Sequence, residues 1–204
     1  MENCAVEEYI EKRSRFIGSV CPVSTKEEAL EFIETIKSKN RDARHNVFAF
    51  LLSDGFKQCS DDGEPSGTAG VPILDILEKQ GVTNCVVVVT RYFGGILLGT
   101  GGLVRAYSAA ASLSLKSAGI IKMIQLRKCR LVCNYNIYSR VPSVLSRFCG
   151  KIIESDFGEN VTLTISLPDE NCTGFSEIIK DISCGEFEPE YLELFFEKEK
   201  GGHL

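Results

Sequence analysis

The run Cys85-Val86-Val87-Val88-Val89-Thr90, without a charge and set between glycine-rich stretches, restricts the fold more than any other feature of the chain. Mostly β-branched residues with no polar alternation make a strand covered on both faces, so the chain needs layers on either side of a sheet. Before it lies Ser60-Asp61-Asp62-Gly63-Glu64-Pro65-Ser66-Gly67-Thr68-Ala69-Gly70. After it come Arg91-Tyr92-Phe93-Gly94-Gly95 and Leu98-Gly99-Thr100-Gly101-Gly102-Leu103-Val104-Arg105-Ala106. Glycine gathered on both sides of a buried strand marks shaped loops at a sheet end. Such loops carry function more often than the elements they join.

The flanking sequence alternates strand and helix signals. Residues 15–23 read as a strand, and Thr25-Lys26-Glu27-Glu28 is a capping box that opens a helix to about Asn40, with Ala29, Ile33 and Ile36 on one face. Residues 45–53 are the next strand. A helix follows with Pro72 in its first turn and Gly81 as its stop, and a second, alanine-rich helix covers residues 101–118 and ends at Gly119. Residues 120–126 read as an edge or closing strand. Beyond Arg127-Lys128-Cys129-Arg130 the pattern becomes strand 130–135, helix 140–149, strand 151–157, strand 160–167, helix 174–182 and strand 187–196, with Gly158-Glu159 at a hairpin tip. That βαββαβ order is the ferredoxin-like unit. The expectation is an α/β (α+β) protein of two domains, residues 1–126 and 127–204.

A chain of 204 residues that is 44% hydrophobic and 25% charged can bury a substantial core, which excludes disorder. With a net charge of -5 the surface as a whole repels polyanions, so any nucleic-acid contact needs a local basic patch. The first 126 residues are nearly charge-balanced, which places the patch there. The nine cysteines are scattered, odd in number and never spaced as CxxC, so they read as reduced thiols packed like small hydrophobes, with no metal assigned to them. No leader-like segment opens the chain and no apolar run reaches about 18 residues. The expected location is cytoplasmic, with no membrane partner.

Candidate site residues lie in the two loops. Asp61, Asp62 and Glu64 are hard oxygen ligands that would suit Mg²⁺, or else a solvated turn around Asp62-Gly63. Gly94, Gly95, Gly99, Thr100, Gly101 and Gly102 lead from strand to helix, where free N–H groups receive a phosphate, or else simply allow close packing. The order fits neither Walker A nor GxGxxG. Arg91 and Arg105 flank this turn and call for an anion between them, either a ligand phosphate or one of the three carboxylates. His45 reads as a hydrogen-bonded scaffold residue and site neighbour, since no nucleophile, base and orienter arrangement surrounds it. No residue is assigned as catalytic.

With these residues in view, the chain resembles the YigZ/IMPACT family through Lys12-Arg13-Ser14-Arg15-Phe16-Ile17, Ala43-Arg44-His45, Ser60 to Gly70, Val87 to Gly95 and Gly99 to Tyr107. The resemblance implies a ribosomal-protein-S5-domain-2-like first domain and a ferredoxin-like second domain similar to one in translation elongation factor G. Eukaryotic relatives regulate a starvation-responsive translation kinase through an additional N-terminal protein-binding domain. Here the Lys-Arg-Ser-Arg-Phe motif begins at residue 12, so that kinase-activator route is not expected, whereas a looser link to translation is. The leading expectation is a non-enzymatic binding protein for RNA or the translation machinery, without a cofactor beyond possible Mg²⁺. A protein-protein regulator is one alternative. An enzyme or sensor for a phosphorylated small molecule is the other.

Overall fold

A computed structural model describes residue 1 and residues 3–203, with side chains through residue 199, which leaves the His203 side chain outside the described residues. The backbone separates into two compact units, Met1–Ile121 and Lys122–Gly202.

In the first unit β1 (Ala5–Glu11), β2 (Ser14–Pro22), β3 (His45–Leu51), β4 (Lys57–Ser60) and β5 (Cys85–Tyr92) form one sheet in the order β1-β2-β5-β3-β4. Every pairing is antiparallel. The valine run occupies the centre, and its alternation divides two cores. Val87 and Val89 pack with Val47, Ala49, Ile73, Leu77, Ala110 and Leu115, under α2 (Gly70–Lys79) and α3 (Thr100–Ala118). Val86 and Val88 pack with Phe48, Phe50, Ala29 and Ile33, under α1 (Lys26–Lys39). Helix α1 starts as its capping box requires, with the Glu28 N–H donating to Thr25 Oγ1 at 3.2 Å.

The second unit runs β6 (Ile121–Cys133), α4 (Tyr135–Tyr138), α5 (Val141–Arg147), β7 (Lys151–Phe157), β8 (Val161–Pro168), a 3₁₀ turn (Asp169–Asn171), α6 (Cys172–Ile182) and β9 (Glu190–His203). Its sheet order, β7-β8-β6-β9, is the ferredoxin-like arrangement. Odd-numbered residues of the two central strands, Cys129, Leu131, Cys133, Val161, Leu163 and Ile165, face the helices and build one core with Val144, Leu145, Phe175 and Ile179.

Four expectations change. Residues 120–126 do not close the first sheet; they begin β6, because nothing between Lys122 and Cys133 interrupts an extended chain and Leu126 already pairs with Pro168 of β8. Strand β1 was not expected, since its charged residues Glu7, Glu8 and Glu11 hide an edge strand's weak pattern. Strand β4 was not expected either, being only four residues long. Not all nine cysteines are reduced: Cys4 and Cys21, cross-strand neighbours whose Cα atoms are 4.1 Å apart, form a disulfide, while the other seven are free. Among the described residues no helix is long and apolar enough to cross a membrane.

Candidate functional site at one end of the first sheet

Antiparallel register brings the motifs together. Tyr9, Phe16, Arg91 and His45 are successive cross-strand partners, so they share one face of the sheet near its end. The edge of Phe16 meets Tyr107, which places that face under α3. At the same end lie the β1–β2 turn at Lys12-Arg13, the start of β3 and the exit of β5 into the glycine loop.

The acidic loop is wired to its own fold. Asp61 accepts from the N–H groups of Gly67 (2.8 Å), Ala69 (3.0 Å) and Gly70 (2.8 Å), so it caps the start of α2 from a distance. Burial alone would raise the Asp61 pKa, but these three donors outweigh it and hold the carboxyl below its ordinary value. Asp62 accepts from the Asn46 N–H at 2.7 Å, and Lys37 stands 3.8 Å away. Glu64 turns inward, its side chain only 4% exposed. The structure therefore sends the three carboxylates to different partners, and among the described residues no group of three or more His, Cys, Asp or Glu side chains is arranged to hold a metal.

Arg91 is the partner of Glu64. Its Nη1 donates to Glu64 Oε1 at 2.6 Å, and the Tyr107 hydroxyl donates to the same oxygen at 2.8 Å. Burial first, and then the Glu64 charge, push the Tyr107 pKa far up, so it stays a donor. The Arg91 guanidinium sits over the rings of Phe16 and Phe93, at 5.5 and 5.7 Å, and its Nε is buried without a hydrogen-bond partner. Of the two readings of this arginine, the internal ion pair is the one the geometry shows. His45 Nδ1 lies 2.9 Å from the Asp62 carbonyl oxygen, an orientation in which the ring N–H donates there and Nε2 faces Glu64 Oε1 at 4.0 Å.

Arg105 is separate from this buried set. It is exposed near the start of α3, with Nη1 beside Gly101 and no ion pair among the described residues. Lys12, Arg13 and Arg44 are likewise exposed and without an ion pair among the described residues. Gly94 is where the loop and the β1–β2 turn meet: a Cβ on it would stand 2.0 Å from the Arg13 carbonyl carbon, and its N–H donates to Ser14 Oγ at 3.1 Å. Gly99, with φ of 70°, lets the chain enter α3, and no side chain among the described residues caps that helix, leaving the N–H groups around Thr100, Gly101 and Gly102 uncapped. Gly95 and Gly101 are exposed and Gly102 is packed on Leu98. The loop also exposes Phe93 (53%) and Leu97 (84%).

Sequence reasoning grouped Arg91 with Arg105, and the structure separates them. It did not single out Tyr107, although the residue lies two turns into α3 in a stretch otherwise built of small residues. Lys12, Arg13 and Phe93 were also missed as site residues. The turn at Lys12-Arg13 has no glycine, yet φ values of 45° and 67° make it a two-residue hairpin tip.

A family model described as the Impact N-terminal domain matches residues 12–115, and one described as Domain of unknown function (DUF1949) matches residues 131–186. The chain is 35% identical over 199 residues to the IMPACT family member YvyE of Bacillus subtilis (strain 168), covering 97% of this chain and 92% of that relative. It is 39% identical over 178 residues to the IMPACT family member YigZ of Escherichia coli (strain K12), covering 85% and 87%. A match to Protein IMPACT of Mus musculus, 36% identical over 96 residues, covers 44% of this chain and 30% of the mouse protein. A solved structure titled as that of an hypothetical protein aligns with a TM-score of 0.58 and 35% identity, over 94% of this chain and 95% of its own.

Proposed function

We propose, from the premise that this chain belongs to the IMPACT family, that it is a cytoplasmic binding protein whose first unit takes the phosphate backbone of RNA, in association with translation, without catalysing a reaction on it. One observation carries the reading. On a chain with a net charge of -5, four exposed cations without ion pairs among the described residues, Lys12, Arg13, Arg44 and Arg105, gather at one sheet end around uncapped helix N–H groups. Other exposed cations, such as Lys39, Arg41 and Arg147, are also without an ion pair among the described residues, so it is the grouping of these four at one sheet end that counts. Cations left together are what a polyanion uses.

The test is the salt dependence of affinity for a single-stranded oligoribonucleotide, read by fluorescence anisotropy. Four phosphate contacts predict a slope of log K against log salt of about -3, and each of Lys12→Ala, Arg13→Ala and Arg105→Ala should flatten it by about one contact. A salt-independent affinity would contradict the reading.

A second reading is favoured by the His45–Glu64 geometry. A half-buried imidazole oriented by a main-chain carbonyl, facing a carboxylate that Arg91 and Tyr107 fix, is an arrangement suited to moving a proton on a small phosphorylated or otherwise anionic substrate. Thermal stabilisation by one phosphorylated metabolite, lost in His45→Ala, would support it over the RNA reading.

A further inference from the structure

We infer that Phe93 is a stacking platform for an unpaired nucleobase, so that the sheet end takes single-stranded rather than duplex RNA; the inference rests on the RNA reading above and names its substrate class. Phe93 directly follows the central strand and is 53% exposed. An apolar ring in that position gains nothing from the core, and both cores of the unit are complete without it.

The ring is nevertheless held. The Arg91 guanidinium lies over one of its faces at 5.7 Å and is itself fixed by the 2.6 Å ion pair to Glu64 and by Phe16 at 5.5 Å. A buried ion pair is a poor source of stability, but it is an effective way to hold a planar group in one orientation. Arg91 thus supports Phe93 from one side, with a cation that polarises the ring, and acts as a positioning residue. The residue after Phe93 is held as well, because Gly94 is seated against the backbone of Arg13 and donates to Ser14 Oγ. Aromatic exposure, rigid support and flanking cations together are the requirements of a single-strand site: a base stacks on the free surface while its phosphates meet Lys12, Arg13 and Arg105. Leu97, 84% exposed, extends the apolar surface beside it. A duplex keeps its bases stacked inside and presents only phosphates and hydroxyls, so it would use the cations and leave Phe93 unused.

The test compares a labelled oligouridine of about 12 nucleotides, within the span such sites cover, with a duplex RNA of the same length, on the full-length protein. Phe93→Ala should weaken the single strand about tenfold or more and leave the duplex unchanged, while Phe93→Trp should restore binding and show quenched tryptophan fluorescence on the single strand. Lys12→Ala should weaken both. Equal loss on both RNAs in Phe93→Ala, or no loss on either while Lys12→Ala weakens both, overturns the stacking role and leaves the RNA reading standing. No salt-dependent binding to either RNA overturns both. Phe93 belongs to neither core cluster, so an unchanged thermal unfolding profile checks that the variant is folded.

Discussion

The two units solve the same problem, an antiparallel sheet that must be covered, in different ways. The second unit covers one face with α5 and α6 and leaves the other to ion pairs such as Lys128 with Glu193 and Lys151 with Glu197, to hydroxyl side chains and to exposed Val132. Its core is apolar, with Ser166 and Ser183 as the only buried polar residues among those described. The first unit covers both faces, yet buries Ser14, Asn46, Glu64, Thr68, Thr90 and Arg91 toward one end of the sheet, with Ser19 and Ser114 the others buried farther along it among the described residues. Burying such groups adds little stability, so their concentration points to what that end presents rather than to what keeps it folded. The second unit is a packing solution, and the first carries the proposed site.

The sharpest way to break this comparison is to remove one residue from each kind of core. Phe175→Ala, a fully buried ring in the second unit, should cost about 3 to 5 kcal/mol by leaving a cavity. Glu64→Ala should cost a similar amount in the first unit for a different reason, the uncompensated charge of Arg91. The difference shows in rescue: Glu64→Leu combined with Arg91→Met should recover most of the first unit's stability. Hydrogen exchange on the full chain reads the two units separately. If the double variant is no more stable than Glu64→Ala, the charge was not the cause.

Glycines give a smaller effect with the same contrast. Gly94→Ala forces a Cβ into the Arg13 backbone and should cost about 2 kcal/mol or more, with loss of hydrogen-exchange protection in β1 and β2. Gly158→Ala, at the hairpin tip of the second unit with its nearest atom at 3.7 Å, should stay within about 0.5 kcal/mol. Equal costs would remove the claim that the first unit's glycines serve a close approach.

These contrasts also explain what the sequence could and could not convey. The valine run, the Thr25 capping box and the βαββαβ order were legible because burial and capping repeat at short spacing. Edge strand β1 and short β4 were not, because half-exposed edges carry no such pattern. The Glu64–Arg91 pair spans 27 residues and depends on where β5 ends relative to the loop above it, which only the register decides. Likewise Asp61 looked like a metal ligand from composition, yet its oxygens are taken by backbone donors up to nine residues away.

That role of Asp61 supplies the smallest prediction. Its carboxyl is held below the ordinary value in the folded state, so its contribution is present above the unfolded pKa and is lost as pH falls through the folded one. Wild-type stability should therefore fall on the acid side, below about pH 4, more steeply than that of Asp61→Asn. At neutral pH the variant should be less stable by about 1 kcal/mol, the scale of a lost helix cap. Parallel acid profiles for the two proteins would mean that Asp61 is spectator rather than cap.

The central claim, that recognition is confined to one end of the first sheet, is tested most directly by titrating the isotope-labelled full chain with a single-stranded oligoribonucleotide and mapping amide shifts. The account predicts that the perturbed amides fall in residues 12–14, 44–46 and 93–105, with none in residues 131–186. Perturbations concentrated in residues 131–186, with those three segments unmoved, would contradict it.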